Sequence, residues 1–120
     1  MASPYAQKGN NLHYDSLNGG TGSGLPTELQ NMYPKTKFDF ARRGQPGADV
    51  AVTGGVHPSD TSVYPNTKWP AGYDQGDFKP NTPRGRREFR HDRNKGKYGG
   101  NPTVMIAYDA NGKIDNISVP

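Results

Sequence analysis

The sequence predicts a small α/β (α+β) domain in which a mixed sheet is flanked by helices, in the order α-β-β-β-α-β. Short runs with alternating apolar residues, such as "KFDF", "ADVAV" and "TVMIAY", are typical of strands. Two other stretches have the proline placement and the residue spacing of helices. The 120 residues include 16 glycines and 11 prolines, a composition that favours one domain with long loops and a thin core.

The first half of the chain predicts a tail, a helix and a hairpin. Residues 1–24 are polar and lack periodicity, as a flexible linker or tail does, and residues 25–120 form the predicted domain. The stretch "LPTELQNMY" (25–33) has a first-turn proline and apolar residues on one face, which predicts a short amphipathic helix. The alternation in residues 35–43 and 48–55 predicts two strands, which the turn "GQPG" joins into a hairpin.

The second half predicts a strand, a basic helix and a final pair of strands. The stretch "GDFKP" (76–80) is a short strand that ends at its proline. Residues 82–94 begin with Thr82 as the expected N-cap and Pro83 in the first turn, which is the usual start of a helix. Residues 101–119 then predict a strand, an "ANG" turn and a weaker last strand.

A long loop, residues 54–76, separates the second predicted strand from the third. It contains Tyr64, Trp69 and Tyr73, and aromatic side chains in such a loop usually anchor it onto a small core. Stacking on an unpaired base, with Lys68 supplying a nearby charge, is the alternative interpretation.

Positive charge is concentrated in one segment of the chain. The formal net charge is +4, whereas residues 84–97 alone carry seven Arg or Lys against Glu88 and Asp92, a local charge of +5. Such a segment predicts contact with a polyanion, or else a solvated face. The chain has no cysteine, which excludes disulfides and thiolate zinc sites. No stretch is long and apolar enough to span a bilayer, and the N-terminus lacks the apolar core of a signal peptide.

One constellation of acidic and basic residues predicts a metal site. Asp77 and Lys79 alternate along the third strand, so both face one side of the sheet while Phe78 enters the core. Asp49 opens the second strand, and if these strands are neighbours the two carboxylates meet and hold Mg²⁺ or Mn²⁺. Lys79 would orient a water or stabilise developing charge, and Glu28 would add an acid from the first helix. The alternative is an exposed Asp77–Lys79 ion pair of little energetic consequence.

These residues resemble a known family. "GADVAV" followed by "GDFKP" resembles the two-part signature of the PD-(D/E)xK, or restriction-endonuclease-like, nuclease superfamily. The continuation "FKPNTPRGRREF" is similar to nuclease toxin domains at the C-termini of bacterial polymorphic and contact-dependent inhibition toxins. The resemblance covers about residues 25–115 and implies a restriction-endonuclease-like fold. It also implies metal-ligand roles for Asp49 and Asp77, a catalytic role for Lys79 and a supporting role for Glu28.

The resemblance further implies a biological setting. The chain would hydrolyse phosphodiester bonds of DNA or RNA as an antibacterial toxin domain. A bacterium would secrete it or deliver it from the cell surface, and it would act in the cytoplasm of the target cell. The expected partners are nucleic acid and an acidic immunity protein, with the domain itself a monomer.

Basic side chains around the constellation are the predicted contacts to a nucleic-acid backbone. Two of them end the first strand, and the others lie on or just after the basic helix: Arg42, Arg43, Arg86, Arg87, Arg90, Arg93 and Lys95. Within the helix, the spacing of Arg86, Arg90 and Arg93 places these three on one face.

Two other functions stay open at this point. A metal-independent ribonuclease of the barnase or colicin kind would use His57 and His91 for acid–base work, together with Arg87 and Lys79. A non-enzymatic module would use residues 84–97 only to bind a polyanion or a partner.

Overall fold

The computed structural model describes residues 24–120, so the predicted linker or tail, which ends at residue 24, lies outside the described residues except for its last member. Two helices and five strands follow one another along the described chain. They are α1 (Leu25–Met32), β1 (Thr36–Phe40), β2 (Val50–Gly55), β3 (Gln75–Pro80), α2 (Pro83–Asn94), β4 (Thr103–Tyr108) and β5 (Ile114–Ser118). The predicted α+β class and the order α-β-β-β-α-β are confirmed, and the weaker last strand is β5.

The five strands form one mixed sheet in the order β1-β2-β3-β4-β5. Neighbouring strands are antiparallel except β3 and β4, which are parallel and are connected through α2. Two residue pairs join β2 to β3, Val50 with Gly76 and Ala51 with Gln75. Because these pairs lie at the first residues of both strands, the segment just before β2 is brought alongside the middle of β3.

The two helices lie on opposite faces of the sheet. Leu25 and Leu29 of α1 pack with Phe78 in the larger core cluster, whereas Phe89 of α2 packs with Met105 in a smaller one. Side chains alternate along a strand, so the residues on either side of Phe78 point toward α2. Asp77 and Lys79 therefore share the α2 face, as their spacing predicts. Neither helix in the described part of the chain has the length and apolar content that a bilayer crossing requires.

The aromatic residues of the long loop belong to the core. Trp69 is 2% exposed, and its indole nitrogen donates a hydrogen bond of 2.7 Å to the carbonyl oxygen of Tyr73. Tyr64 is also buried, and both rings meet Tyr33 edge to face. The anchoring role is confirmed, and burial removes the ring faces of Tyr64 and Trp69 from any base.

Helix α2 begins directly over the end of β3, which positions it above the Asp77 face. The hydroxyl of Thr82 accepts a hydrogen bond of 3.0 Å from the backbone nitrogen of Gly85, which is the N-cap that the sequence predicts. A Cβ added at Gly85 would lie 2.0 Å from the carbonyl oxygen of Pro80. Glycine is therefore required here by a close backbone approach, although it is a poor helix former.

We predict that Gly85→Ala destabilises the fold by about 1–3 kcal/mol, because the new methyl group forces α2 away from β3. Urea unfolding followed by circular dichroism measures the change. Gly54→Ala is the matched control, since its Cβ would meet only the Lys37 side chain, at 3.5 Å. Equal midpoints for Gly85→Ala and the unchanged chain would contradict the close approach.

Candidate active site

Asp49 and Asp77 are held side by side by reciprocal hydrogen bonds to the backbone. The backbone nitrogen of Asp49 donates to Oδ1 of Asp77 at 3.0 Å, and the nitrogen of Phe78 donates to Oδ2 of Asp49 at 2.9 Å. Each aspartate side chain thus binds the backbone of the segment that carries the other aspartate. Gly76 permits this approach, because a Cβ there would lie 2.5 Å from Cδ1 of Ile106 and 3.0 Å from Cγ1 of Val50.

The two carboxyl groups are close enough to affect each other's ionisation. Asp77 is fully buried, with 0% of its surface exposed. Burial, the negative charge of Asp77 and a hydrogen bond between the two side chains raise the pKa of the Asp49 carboxyl well above its ordinary value. The pair therefore retains a proton at a pH where an isolated carboxyl group has lost it.

Two lysines supply positive charge at the same place. The Nζ atom of Lys79 lies 2.7 Å from Oδ2 of Asp92 and 3.7 Å from Oδ2 of Asp77. The Nζ atom of Lys97 lies 3.3 Å from the same oxygen of Asp77 and 3.6 Å from Asp92. We call these five residues, Asp49, Asp77, Lys79, Asp92 and Lys97, the acid–lysine cluster. The predicted association of Asp49, Asp77 and Lys79 is thus present in the structure.

The charges within the cluster set the pKa values of its outer members. Burial opposes the charged form of Asp92, but the hydrogen bond from Lys79 and the charges of both lysines lower the pKa of this carboxyl. Burial likewise opposes the charged form of Lys97, yet Asp77, Asp49 and Asp92 together raise the pKa of its ammonium group. Both lysine–Asp92 contacts are consequently ion pairs at neutral pH.

Tyr98 closes the cluster from the side of β4. Its hydroxyl donates a hydrogen bond of 2.8 Å to Oδ2 of Asp77. Burial and the charge of Asp77 raise the pKa of the Tyr98 hydroxyl, so this group stays a donor across the physiological range. Asp77 therefore has its Oδ1 oriented by the backbone and its Oδ2 oriented by a phenol and an ammonium group.

Asp92, Lys97 and Tyr98 were not among the predicted site residues. A signal for Asp92 was present, because it follows Phe89 by three residues and so lies on the buried face of α2. Lys97 and Tyr98 lie in the connection from α2 to β4, and only the parallel pairing of β3 with β4 brings that connection back to Asp77. Sequence spacing does not reveal a contact of this kind.

Glu28 lies on the other side of the sheet from Asp77. Its carboxylate accepts a hydrogen bond from the backbone nitrogen of Ile114, and Lys113 lies 3.8 Å away. Since α1 covers the face opposite α2, the structure does not bring Glu28 to the acid–lysine cluster. In the described residues its contacts hold α1 against the start of β5.

The two histidines of the ribonuclease hypothesis, His57 and His91, lie on elements that cover opposite faces. His57 is in the loop that follows β2, where its ring contacts Ser59 at 2.7 Å and Asp74 at 2.9 Å. His91 is exposed on α2 and lines a cleft together with Lys79. The structure does not bring the imidazoles together as the metal-independent ribonuclease hypothesis requires.

The predicted phosphate contacts fall into two groups. Arg42 and Arg43 are exposed in the segment between β1 and β2. The ends of this segment are joined by a hydrogen bond of 2.8 Å from the backbone nitrogen of Ala41 to the carbonyl oxygen of Asp49. The others lie on or after α2, where Arg87, Arg90, Arg93 and Lys95 are exposed and Arg86 is half-buried.

A cleft of about 380 Å³ lies between α2 and the end of β3. Its lining consists of Lys79, Arg84, Arg87, Glu88, His91 and Asp92. Lys79 and Asp92 also belong to the acid–lysine cluster, so the cleft borders the cluster at these two residues. No family model, curated protein or solved structure matches the chain.

We predict that Asp49→Asn makes the metal-free protein more stable at neutral and alkaline pH. The raised pKa means that the protonated carboxyl favours the folded state, and that this contribution is lost as the pH rises through the folded-state value. The asparagine amide stays neutral, accepts from Phe78 and donates to Asp77, so it imitates the protonated form. Urea midpoints in EDTA should differ most at about pH 8 and converge below the ordinary carboxyl pKa.

Asp39→Asn on β1 is the control, because Asp39 is exposed and lies outside the cluster. The titration of Asp92 affects both proteins, so its contribution cancels in the difference between their urea midpoints. A midpoint for Asp49→Asn that stays below that of the unchanged chain at every pH would contradict the proton-sharing pair.

Proposed function

We propose that the chain is a metal-dependent nuclease that hydrolyses phosphodiester bonds of DNA or RNA. The observation that supports this most strongly is the contact of the buried Asp77 carboxyl group with the partly buried one of Asp49, with the Lys79 ammonium 3.7 Å from Asp77. Burying two carboxyl groups together is unfavourable unless a cation or a proton lies between them. Groups with such perturbed ionisation are concentrated at functional sites.

The donor set fits Mg²⁺ or Mn²⁺. Among residues 24–120, no three His, Asp or Glu side chains converge into a complete metal cage. Mg²⁺ does not need one, because it binds through one or two carboxylates and keeps several waters. Asp49 and Asp77 would hold the ion, which would take the place of the shared proton. When bound, the ion would polarise the phosphodiester and lower the pKa of the attacking water.

The lysines have different tasks in this proposal. Asp92 pairs with Lys79 at 2.7 Å and keeps its ammonium group beside Asp77, where it would stabilise charge that develops on the phosphate. Lys97 is about one third exposed, with 34% of its side chain accessible, and it neutralises Asp77 and Asp92 from the solvent side. Its long side chain is free to swing outward when substrate arrives.

The basic surface around the cleft supports a polyanionic substrate. Arg84, Arg87 and His91 extend from the acid–lysine cluster along α2, and residues 84–97 carry a local charge of +5. A surface of this kind attracts nucleic acid through its phosphates without selecting a sequence.

The resemblance of the "GDFKP" and "FKPNTPRGRREF" stretches to bacterial nuclease toxins extends the proposal to a biological role. In that role the domain is delivered into a competing bacterium and cleaves nucleic acid in its cytoplasm. An acidic immunity protein would protect the producer by covering the basic cleft.

We predict that the purified chain cleaves plasmid DNA or total RNA in Mg²⁺ and that EDTA abolishes the cleavage. Asp77→Asn and Lys79→Met should each lower the rate at least about 100-fold, because the first removes a carboxylate that would hold the ion and the second removes the ammonium group that would stabilise charge on the phosphate. Gel electrophoresis of both substrates measures the rate, and circular dichroism establishes that each variant is folded.

Asp39→Asn and Lys37→Met are matched controls, since both side chains are exposed on β1 and neither belongs to the acid–lysine cluster or lines the cleft. Cleavage of RNA that persists in EDTA and is lost in His91→Gln would instead indicate the metal-independent ribonuclease. Binding of nucleic acid without cleavage under any of these conditions would indicate a non-enzymatic module.

A further inference from the structure

We propose that Lys79, Arg87 and His91 form a subsite for one internal phosphodiester group of a nucleic-acid strand, beside the Asp49–Asp77 pair. The inference deepens the proposed nuclease function and relies on it for the identity of the ligand as nucleic acid. Arg87 is one of the predicted phosphate contacts, and the inference departs from the sequence-based expectation by placing the substrate on the face of Arg87 and His91 instead of the face of Arg86, Arg90 and Arg93.

All three side chains line the same cleft. Arg87 and His91 are four residues apart on α2, so they lie on the same face of the helix. Lys79 reaches the same cleft from β3, and its Nζ atom lies 3.7 Å from the buried carboxylate of Asp77. A group that contacts Lys79 in the cleft is therefore separated from the Asp77 carboxylate by one ammonium group.

Among the described residues, the ion pairs in the cleft leave two basic groups unpaired. Asp92 pairs with Lys79 at 2.7 Å, and Glu88 pairs with Arg84 at 3.2 Å. Within residues 24–120, the side chains of Arg87 and His91 form no hydrogen bond or ion pair. A guanidinium group beside an imidazole, both directed into a cleft, is suited to phosphate oxygens because guanidinium binds them through two parallel hydrogen bonds.

The other helix face is partly engaged by the protein itself. Arg86 donates to the side-chain oxygen of Asn81 at 3.0 Å, and Arg93 donates to the carbonyl oxygen of Pro120 at 2.8 Å. Arg93 also lies over the Phe89 ring, 5.6 Å from its centre. The face that carries Arg86 and Arg93 thus stabilises the fold, and the face of Arg87 and His91 remains for a ligand.

The charge of the lining selects the kind of phosphate. Three cations, Lys79, Arg84 and Arg87, face two carboxylates, which leaves a net charge of +1 with His91 neutral. An internal phosphodiester carries a single negative charge and matches this value. A terminal phosphate carries nearly two negative charges at neutral pH, so binding it would leave an uncompensated negative charge in the cleft, close to the buried Asp77 carboxylate.

The test measures binding apart from cleavage, in EDTA, by fluorescence anisotropy of a labelled duplex with hydroxyl ends. We expect Arg87→Gln and His91→Gln each to weaken binding, by about tenfold for Arg87→Gln, which removes a charge-assisted contact. Arg87→Gln should also reduce the slope of log K against log salt by about 0.9, the value for one phosphate contact. Lys37→Gln, which removes an exposed charge on β1, should leave the affinity and the slope unchanged. Unchanged affinity and slope in Arg87→Gln would overturn the subsite.

A second arm identifies the phosphate. The probes are a dinucleoside monophosphate, which has one internal phosphodiester, and a nucleoside 5′-monophosphate, which has one terminal phosphate. We expect the dinucleoside monophosphate to shift the NMR signals of Arg87 and His91 at the lower concentration. Tighter binding of the 5′-monophosphate would overturn the assignment to an internal phosphodiester.

The two proposals fail in different ways. Suppose that the unchanged chain cleaves nucleic acid with Mg²⁺ and that Arg87→Gln binds the duplex with the same affinity as the unchanged chain. The subsite is then wrong and the nuclease proposal stands. If Arg87→Gln loses binding and yet no condition gives cleavage by the unchanged chain, the subsite stands and the nuclease proposal is wrong.

Discussion

The reciprocal hydrogen bonds between the start of β2 and the middle of β3 are the constraint on which the site depends. The nitrogen of Asp49 donates to Asp77, and the nitrogen of Phe78 donates to Asp49, at 3.0 and 2.9 Å. These bonds join two strands that share only two residue pairs. They also force two carboxyl groups into contact, because each aspartate must turn its side chain toward the other's strand. The same two hydrogen bonds therefore hold the strands together and create the carboxyl pair of the proposed site.

The arrangement opposes stability in one respect and supports it in another. Two adjacent buried carboxyl groups are unfavourable, and the raised pKa of Asp49 reflects both the burial and the charge of Asp77. Lys79, Lys97 and the hydroxyl of Tyr98 offset part of that cost by surrounding Asp77. Sites that bind ions or stabilise transition states commonly contain such locally unfavourable groups, since the same groups that function requires reduce stability.

Local patterns predicted most of the fold. Alternating apolar residues located the strands, and Thr82 with Pro83 located the start of α2, because strand periodicity and helix capping act between near neighbours. The period of two also placed Asp77 and Lys79 on one face. Lys97 and Tyr98 were missed because they reach Asp77 only through the parallel pairing of β3 with β4. Glu28 was assigned to the site although α1 packs on the opposite face, and no local signal records which face of a sheet a helix covers.

The central claim is that Asp49 and Asp77 together bind a divalent cation, and a Mn²⁺ titration of the ¹⁵N-labelled chain tests it most directly. Paramagnetic broadening depends steeply on distance from the ion. The backbone amides of Asp49 and Phe78, which donate to the two carboxyl groups, should lose their signals first. Mg²⁺ in excess should restore them. Broadening that begins at other carboxylates, such as Asp60 or Asp109, while Asp49 and Phe78 stay sharp would contradict the account.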